Sequence, residues 1–182
     1  MKHAGAAELL SMTERLLAAL AIPVYVNDRA DVAWAAGARG VHLGHEDIPA
    51  ALVRPALPAP FRVGLSVGSA AEAQVALQAG VDYWSVGPLY RTATKPDAGV
   101  PLLPQGFAAL ARLAPAGMPV VGIGGITAEN AGAVIGAGAS GVAVISAIFG
   151  GRDVEQATRA IREAVDAALA AGVSRGSPPG AR

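Results

Sequence analysis

The hydrophobic residues of this chain fall into short runs separated by longer segments with helical spacing. Six runs are rich in β-branched residues: VYVND (24–28), GVHLG (40–44), RVGLSV (62–67), YWSVGP (83–88), VVGIGG (120–125) and GVAVIS (141–146). Each run is short and continuously apolar, which is typical of a parallel strand buried on both faces. The pattern therefore predicts six buried parallel strands.

The segments between these runs predict helices. SAAEAQVALQAG and TAENAGAVIGAGA place apolar residues at helical spacing, and the chain opens on a helix, AAELLSMTERLLAAL. Three predicted helices end in Ala-Gly before the next strand, as expected of a glycine cap. The last helix is predicted to begin at Asp153, with Gln156 in a capping-box position, and to run to about Ala171.

This strand–helix repeat is compatible with an open doubly wound sheet or with a (β/α)₈ barrel. The first repeat has no Gly-x-Gly-x-x-Gly, and polar residues follow most strand ends. Both features favour the α/β TIM (β/α)₈ barrel. Because only six strands are predicted, we expect an N-terminally truncated barrel with about six of eight strands. Residues 1–172 are predicted to form one domain, and 173–182 a flexible tail.

Composition narrows the classes of function. The chain has 182 residues, of which 53% are hydrophobic and 15% charged, and its formal net charge is zero. A chain of this kind can bury a core, and without a basic stripe it is not expected to bind nucleic acid or a membrane surface. Cysteine is absent, which excludes disulfides and thiolate catalysis. No signal peptide or long apolar run is found, and a cytoplasmic location is expected.

Two glycine- or serine-bearing segments follow the last two predicted strands. GIGGITAEN (122–130) and VISA (144–147) both lie where a strand gives way to a helix. Glycine lets an anion approach the backbone, and free N–H groups at a helix start attract phosphate. The alternative is that Thr127 and Ser146 are ordinary helix N-caps. The occurrence of both segments after consecutive late strands favours a phosphate site, because phosphate sites of barrels usually lie after the last strands.

Carboxylates follow the first two predicted strands. Asp28 ends VYVND beside Asn27, and Asp47 follows GVHLG. Two carboxylates at neighbouring strand ends suit Mg²⁺, which takes one or two carboxylates plus waters and substrate phosphates. The alternative is that each aspartate caps a helix. His42 is expected to be a satisfied side chain of its strand, and His45 lies beside the predicted site.

The loop GPLYRTATKPDAGVP (87–101) concentrates polar residues after the fourth predicted strand. The Lys95 ammonium is suited to bind a phosphate as a point charge, and the Thr92 and Thr94 hydroxyls are suited to donate hydrogen bonds to the same phosphate. The loop is long enough for a lid that excludes water. The alternative is an ordinary surface loop with solvated charges.

These segments resemble the thiamine-phosphate synthase family. VNDRADVAWAAGARGVHLGHEDIP, GPLYRTATKPD, VVGIGGITAENA and AGASGVAVISAI occur in the family's order and at close to its spacing, over roughly residues 20 to 170. The resemblance implies a (β/α)₈ barrel enzyme, a Mg²⁺-dependent transferase. Such an enzyme joins hydroxymethylpyrimidine diphosphate to thiazole phosphate and releases pyrophosphate. Its partners would be these small molecules, with a homo-oligomer as an alternative to a monomer.

The resemblance also implies a role for each matching position. Asp28 and Asp47 would bind Mg²⁺. Lys95, Ser66 and Asn27 would be the catalytic residues and would hold the pyrimidine diphosphate. The thiazole phosphate would be contacted by Thr92, Ala93, Thr94, Gly125, Ile145 and Ser146.

Two departures from the family pattern leave alternatives open. The family's Gln-x-Arg-x-Lys strand, and the strand and helix before it, are expected to be missing from this chain. Gly68 stands where histidine often follows the Ser66 segment. A thiazole tautomerase-like isomerase, which uses a histidine near that position, is one alternative. The other is a catalytically impaired, truncated phosphate-binding barrel.

Overall fold

The computed structural model describes residues 5–94 and 99–175 of the chain, the last three of them by their backbone alone. Six strands alternate with helices. In chain order the elements are α1 (Ala6–Ala19), β1 (Tyr25–Asn27), α2 (Ala30–Ala35), β2 (Gly40–Leu43), α3 (Ala50–Ala56), β3 (Arg62–Val67), α4 (Ala70–Gln78), β4 (Tyr83–Val86), α5 (Leu103–Ala111), β5 (Val120–Ile123), α6 (Ala128–Gly136), β6 (Gly141–Ala143), α7 (Ser146–Phe149) and α8 (Val154–Arg175). Every predicted strand is therefore confirmed.

The order of the strands decides between the two predicted architectures. They form one sheet in the order β1-β2-β3-β4-β5-β6, and the pairs β1–β2, β2–β3 and β5–β6 are parallel. A doubly wound sheet reverses its strand order at a switch point, whereas a (β/α)₈ barrel adds each strand beside the one before it. The sheet therefore has the strand order of a barrel, and six strands are seen, as predicted.

The described residues divide into two compact units. One lies within Met1–Val67 and Ala71–Trp84, and the other within Gly68–Ala70 and Ser85–Arg182. The core of the first unit contains Val41, Val63 and Trp84, and that of the second contains Phe107 and Val134, all fully buried. The single domain over 1–172 stays a prediction.

Burial of all six strands was predicted, and this is wrong for the two end strands. Tyr25 of β1 is 39% exposed, and no residue of β6 is buried. An end strand has a neighbour on one side only, so less of its surface is covered. The sixth strand is also shorter than predicted. It ends at Ala143, and Ser146 begins the short helix α7.

The helix ends follow the predicted capping chemistry. Gly37, Gly80 and Gly138, which follow α2, α4 and α6, have φ of 72°, 64° and 103°. This is the left-handed conformation in which glycine ends a helix without steric cost. At α8 the Asp153 carboxylate accepts the Gln156 N–H at 2.8 Å, which confirms the predicted N-cap.

The last helix is longer than predicted. It continues past Ala171 to Arg175, the last residue that the structure describes. One glycine in a helix costs only about 1 kcal/mol relative to alanine, so Gly172 does not stop an alanine-rich helix. Within the described ranges, no helix is both long and apolar enough to cross a membrane.

A half-buried ion-pair network holds the start of β3 in the first unit. The Asp82 carboxylate accepts hydrogen bonds from Arg54 at 2.6 Å, from Arg62 at 2.7 Å and from the Val63 N–H at 2.8 Å. Arg54 also donates to the carbonyl oxygens of Phe61 and Leu57. The network therefore joins α3 to the chain at both ends of the α3–β3 connection.

Candidate functional site

In the first unit, the predicted site residues begin where β1 ends. Asn27 is exposed, and it stands opposite His42 in the register of β1 and β2. The next residue, Asp28, has a φ of 67°, and its N–H donates to the His42 carbonyl oxygen at 2.8 Å. A positive φ is uncommon outside glycine, with Asn and Asp the usual exceptions. The chain thus leaves the sheet abruptly at Asp28.

Asp47 closes the loop that follows β2. Its carboxylate accepts the Gly44 N–H at 2.6 Å. The alternative that Asp28 and Asp47 cap helices is wrong, because the N-caps of α2 and α3 are Arg29 and Pro49. Asp47 instead satisfies a turn N–H three residues back, which the short Gly-His-Glu-Asp loop brings within reach. In the same unit, the His45 ring lies 2.9 Å from the Glu72 carboxylate.

Ser66 belongs to a hydrogen-bonded line of three side chains. His42 Nε2 lies 3.1 Å from Ser66 Oγ, and His42 Nδ1 lies 3.1 Å from the Tyr83 hydroxyl oxygen. The expectation that His42 is a satisfied strand side chain is thereby confirmed. Tyr83 was not predicted to take part. The available signal was its place in the fourth predicted strand, next to the strand that carries Ser66.

Burial keeps this line uncharged at neutral pH. Desolvation lowers the pKa of His42 to about 4, against a smaller opposing effect of the Asp47 charge. Desolvation, with a smaller contribution from Tyr25, raises the pKa of Tyr83 to about 12. His42 is therefore a neutral imidazole with one donor and one acceptor nitrogen, and Tyr83 keeps its proton.

The lowered pKa of His42 predicts a loss of stability in acid. Its folded-state pKa lies below the ordinary value of 6.5. The contribution to stability is therefore complete above about pH 6.5 and is lost as the pH falls towards about 4, by at most about 3 kcal/mol. Urea unfolding from pH 7.5 to 4 measures this change. His42→Gln, which does not titrate, is the control and should flatten that part of the profile; an unchanged slope would contradict the assignment to His42.

In the second unit, two glycines form the turn after β5. Gly124 and Gly125 have φ of 95° and 64°. A Cβ atom on Gly124 would lie 2.7 Å from Pro88 Cα, and one on Gly125 would lie 2.4 Å from the Arg91 carbonyl oxygen. Both positions therefore require glycine for conformation and for space.

The start of the 87–101 loop runs beside this turn. The Leu89 N–H donates to the Ile123 carbonyl oxygen, and the Tyr90 N–H donates to that of Gly124, each at 2.9 Å. Thr92 is half-buried and its hydroxyl oxygen accepts the Thr94 N–H at 3.2 Å, while Ala93 and Thr94 are exposed. The backbone from Leu89 to Arg91 thus runs beside the glycine turn and leads directly into the predicted threonines. Lys95, the predicted diphosphate contact, lies outside the described residues.

Asn130 holds the glycine turn in shape and was missed by the sequence analysis. Its side-chain oxygen accepts the Thr127 N–H at 2.9 Å, and its side-chain nitrogen donates to the Gly125 carbonyl oxygen at 3.1 Å. The available signal was a capping-box position, three residues after Thr127. The N-cap role considered for Thr127 is confirmed. A residue at that position of a capping box serves the helix, so its bond to the preceding turn does not follow from the pattern.

Ile145 and Ser146 follow β6, the strand beside β5. The two strands pair in register from Val121↔Gly141 to Ile123↔Ala143, so the segments that follow them leave the same end of the sheet. Ile145 is 55% exposed. The N-cap role considered for Ser146 is wrong, because Ile145 is the N-cap of α7 and Ser146 is its first residue.

The described part of the chain contains no group of three or more histidine or acidic side chains that could hold a metal ion. A site for Mg²⁺ needs fewer protein ligands than that, since waters and substrate phosphates complete its shell. The assignment of Asp28 and Asp47 as Mg²⁺ ligands stays a prediction.

Comparison with known proteins agrees with these features. A family model described as Thiamine monophosphate synthase matches residues 1–148. The chain belongs to the thiamine monophosphate synthase family. The match takes in α1, ahead of the expected start near residue 20, and ends before α8. It therefore covers both the aspartate-bearing loops of the first unit and the glycine turn of the second.

Individual relatives of the family are similar over most of this chain. A thiamine-phosphate synthase from Roseiflexus sp. (strain RS-1) is 49% identical over 148 residues, 81% of this chain and 62% of the relative. One from Methanoculleus marisnigri is 50% identical over 148 residues, 81% of this chain and 69% of the relative. The chain thus spans about two thirds of the length of these synthases.

A solved structure from the family has the same fold. The thiamine phosphate pyrophosphorylase from Pyrococcus furiosus superimposes with a TM-score of 0.82 at 36% identity, over 93% of this chain and 81% of that one.

Proposed function

We propose that this chain carries thiamine-phosphate synthase activity, joining hydroxymethylpyrimidine diphosphate to thiazole phosphate with release of pyrophosphate. The observation that carries the proposal is the glycine turn at Gly124 and Gly125, braced by Asn130 and paired with the backbone that leads to Thr92. Free backbone N–H groups and hydroxyls beside a helix start are suited to a phosphate. The names of the relatives at 49–50% identity support the choice among phosphate-binding barrels.

The bond changes of this reaction need no protein nucleophile. The thiazole nitrogen forms a bond to the methylene carbon of the pyrimidine, and the carbon–oxygen bond to the diphosphate breaks. The electron pair of that bond leaves with pyrophosphate, and the thiazole nitrogen becomes the cationic nitrogen of the product. Binding both substrates in the correct orientation is then most of the catalysis, which suits a chain without cysteine.

Each substrate is assigned to residues of one unit. In the first, Asn27 and Ser66 would bind the pyrimidine diphosphate, and Asp28 and Asp47 would hold Mg²⁺, which stabilises negative charge on the leaving group when bound. These residues fit that ion because carboxylate oxygens are hard ligands. The Gly44 N–H bonds only one oxygen of Asp47, so this hydrogen bond leaves the other oxygen for the ion. Lys95 would add a positive charge. The thiazole phosphate would be contacted in the second unit by Thr92, Ala93, Thr94, Gly125, Ile145 and Ser146.

Pyrophosphate release from both substrates together, but from neither alone, is the expected result and tests this function. No release above background at any Mg²⁺ concentration would refute it.

A cytoplasmic location and self-association are further proposals, which fractionation and analytical ultracentrifugation test.

The proposed metal site predicts a change in Mg²⁺ dependence. Asp28→Asn and Asp47→Asn each remove one negative charge from it. Each variant should need at least about tenfold more Mg²⁺ for half-maximal pyrophosphate release. Asp166→Asn, an exposed carboxylate of α8, is the control and should leave the Mg²⁺ titration unchanged. Identical titrations for all three variants would sink the assignment.

A further inference from the structure

Three adjacent strands of the first unit build the line Tyr83–His42–Ser66. His42 of β2 pairs in register with Gly64 of β3, and Ser66 lies two residues further along the same face of that strand. A Cβ atom on Gly64 would lie 2.1 Å from Tyr83 Cζ and 2.5 Å from the Tyr83 hydroxyl oxygen. The absence of a side chain at residue 64 is therefore what lets the Tyr83 hydroxyl reach His42.

Ring contacts hold the line in place. The rings of His42 and Tyr83 are stacked, with centroids 5.5 Å apart and planes inclined by 28°. Tyr25 meets Tyr83 edge-on, with centroids 5.8 Å apart and planes at 86°. These contacts hold the planes of both rings, and in those planes Nδ1 of His42 faces Tyr83 while Nε2 faces Ser66.

The direction of each hydrogen bond follows from acidity. A phenol is more acidic than an aliphatic hydroxyl and is the stronger donor. The two ring nitrogens of a neutral imidazole are one donor and one acceptor, and the arrangement that uses the better donor has Tyr83 donating to Nδ1. The ring proton then sits on Nε2 and donates to Ser66 Oγ. Ser66 thus accepts from inside the protein, and its own proton must be donated elsewhere.

We propose that His42, held by Tyr83 as the Nε2–H tautomer, is a positioning residue that makes Ser66 a hydrogen-bond donor to an anionic oxygen of the substrate. A diphosphate oxygen only accepts hydrogen bonds, so it is matched by a hydroxyl whose hydrogen is free. The identity of the acceptor rests on the proposed synthase function, but the tautomer and the direction of the bonds do not.

The tautomer can be read directly from the intact protein. Long-range ¹H–¹⁵N correlation spectra of the labelled chain at pH 7.5 distinguish a protonated from an unprotonated ring nitrogen. The chain has three histidines, and the signals lost in His42→Gln identify His42. Nε2 protonated and Nδ1 unprotonated is the expected result. The opposite tautomer, or an imidazolium, would overturn the proposal whether or not the chain has synthase activity.

Two variants test the consequence for catalysis. Tyr83→Phe keeps the stacked ring but removes the donor, so the His42 signals should shift to a mixture of tautomers and kcat for pyrophosphate release should fall about tenfold. His42→Gln keeps an amide donor near the position of Nε2 and should retain most of the activity that His42→Leu loses. If Gln rescues no better than Leu while both fold by circular dichroism, His42 does not act by donating to Ser66.

Discussion

Replacing Gly125 with alanine is expected to lower kcat/KM for the phosphate-bearing thiazole substrate by about a hundredfold. The new methyl group would lie 2.4 Å from the Arg91 carbonyl oxygen and 2.8 Å from Tyr90 Cβ. The φ of 64° adds a conformational penalty of about 1 kcal/mol for any residue with a side chain. The turn must therefore open, which moves both its own N–H groups and the backbone leading to Thr92.

Gly136→Ala is the matched control for this change. Gly136 is the last residue of α6, and a Cβ atom there meets nothing within 4 Å. Because alanine is the better helix former, this variant should keep full activity and gain up to about 1 kcal/mol of stability. Steady-state kinetics at saturating pyrimidine diphosphate compares the two variants. A Gly125→Ala enzyme with wild-type kcat/KM would show that the turn does not bind the phosphate.

The largest expected effect of a substitution on stability at neutral pH is that of Asp82→Ala, at about 2 kcal/mol. The substitution leaves the half-buried Arg54 without its carboxylate and the Val63 N–H without an acceptor. Removing the shared acceptor of a half-buried network is costly because the donors that remain are still partly desolvated and have lost their partner. Asp166→Ala, which breaks an exposed pair with Arg162 on α8, should cost less than about 0.5 kcal/mol.

The same network predicts how stability depends on acid. Burial by itself raises the pKa of Asp82, but the Val63 N–H and the Arg62 and Arg54 guanidiniums outweigh it, and the net pKa is lowered. A lowered folded-state pKa contributes stability above the unfolded pKa of about 3.9, and that stability is lost as the pH falls through the folded value. Urea unfolding of wild type and Asp82→Ala at pH 7 and pH 3 measures the difference between them. A difference that does not shrink at pH 3 would contradict the ion-pair explanation.

Sequence patterns located the strands well because each strand is a continuous apolar run. All six were found, and the left-handed Gly37, Gly80 and Gly138 follow from the Ala-Gly signals. The errors concern properties that depend on neighbours. The end strands look as apolar in sequence as the central ones, yet β1 and β6 are partly exposed because each has one flanking strand.

The candidate site likewise combines features that are local in sequence with features that depend on neighbouring elements. Sequence alone determined that glycines, threonines and aspartates follow the strand ends, since strand periodicity and residue type are local properties. It could not show that Asn130 bonds back to Gly125, that Asp47 closes its own loop, or that Tyr83 reaches His42 across Gly64. These contacts depend on strand register and on backbone approach between residues up to 41 positions apart. Only the tertiary structure brings such residues within the distance of about 3.2 Å at which a hydrogen bond forms.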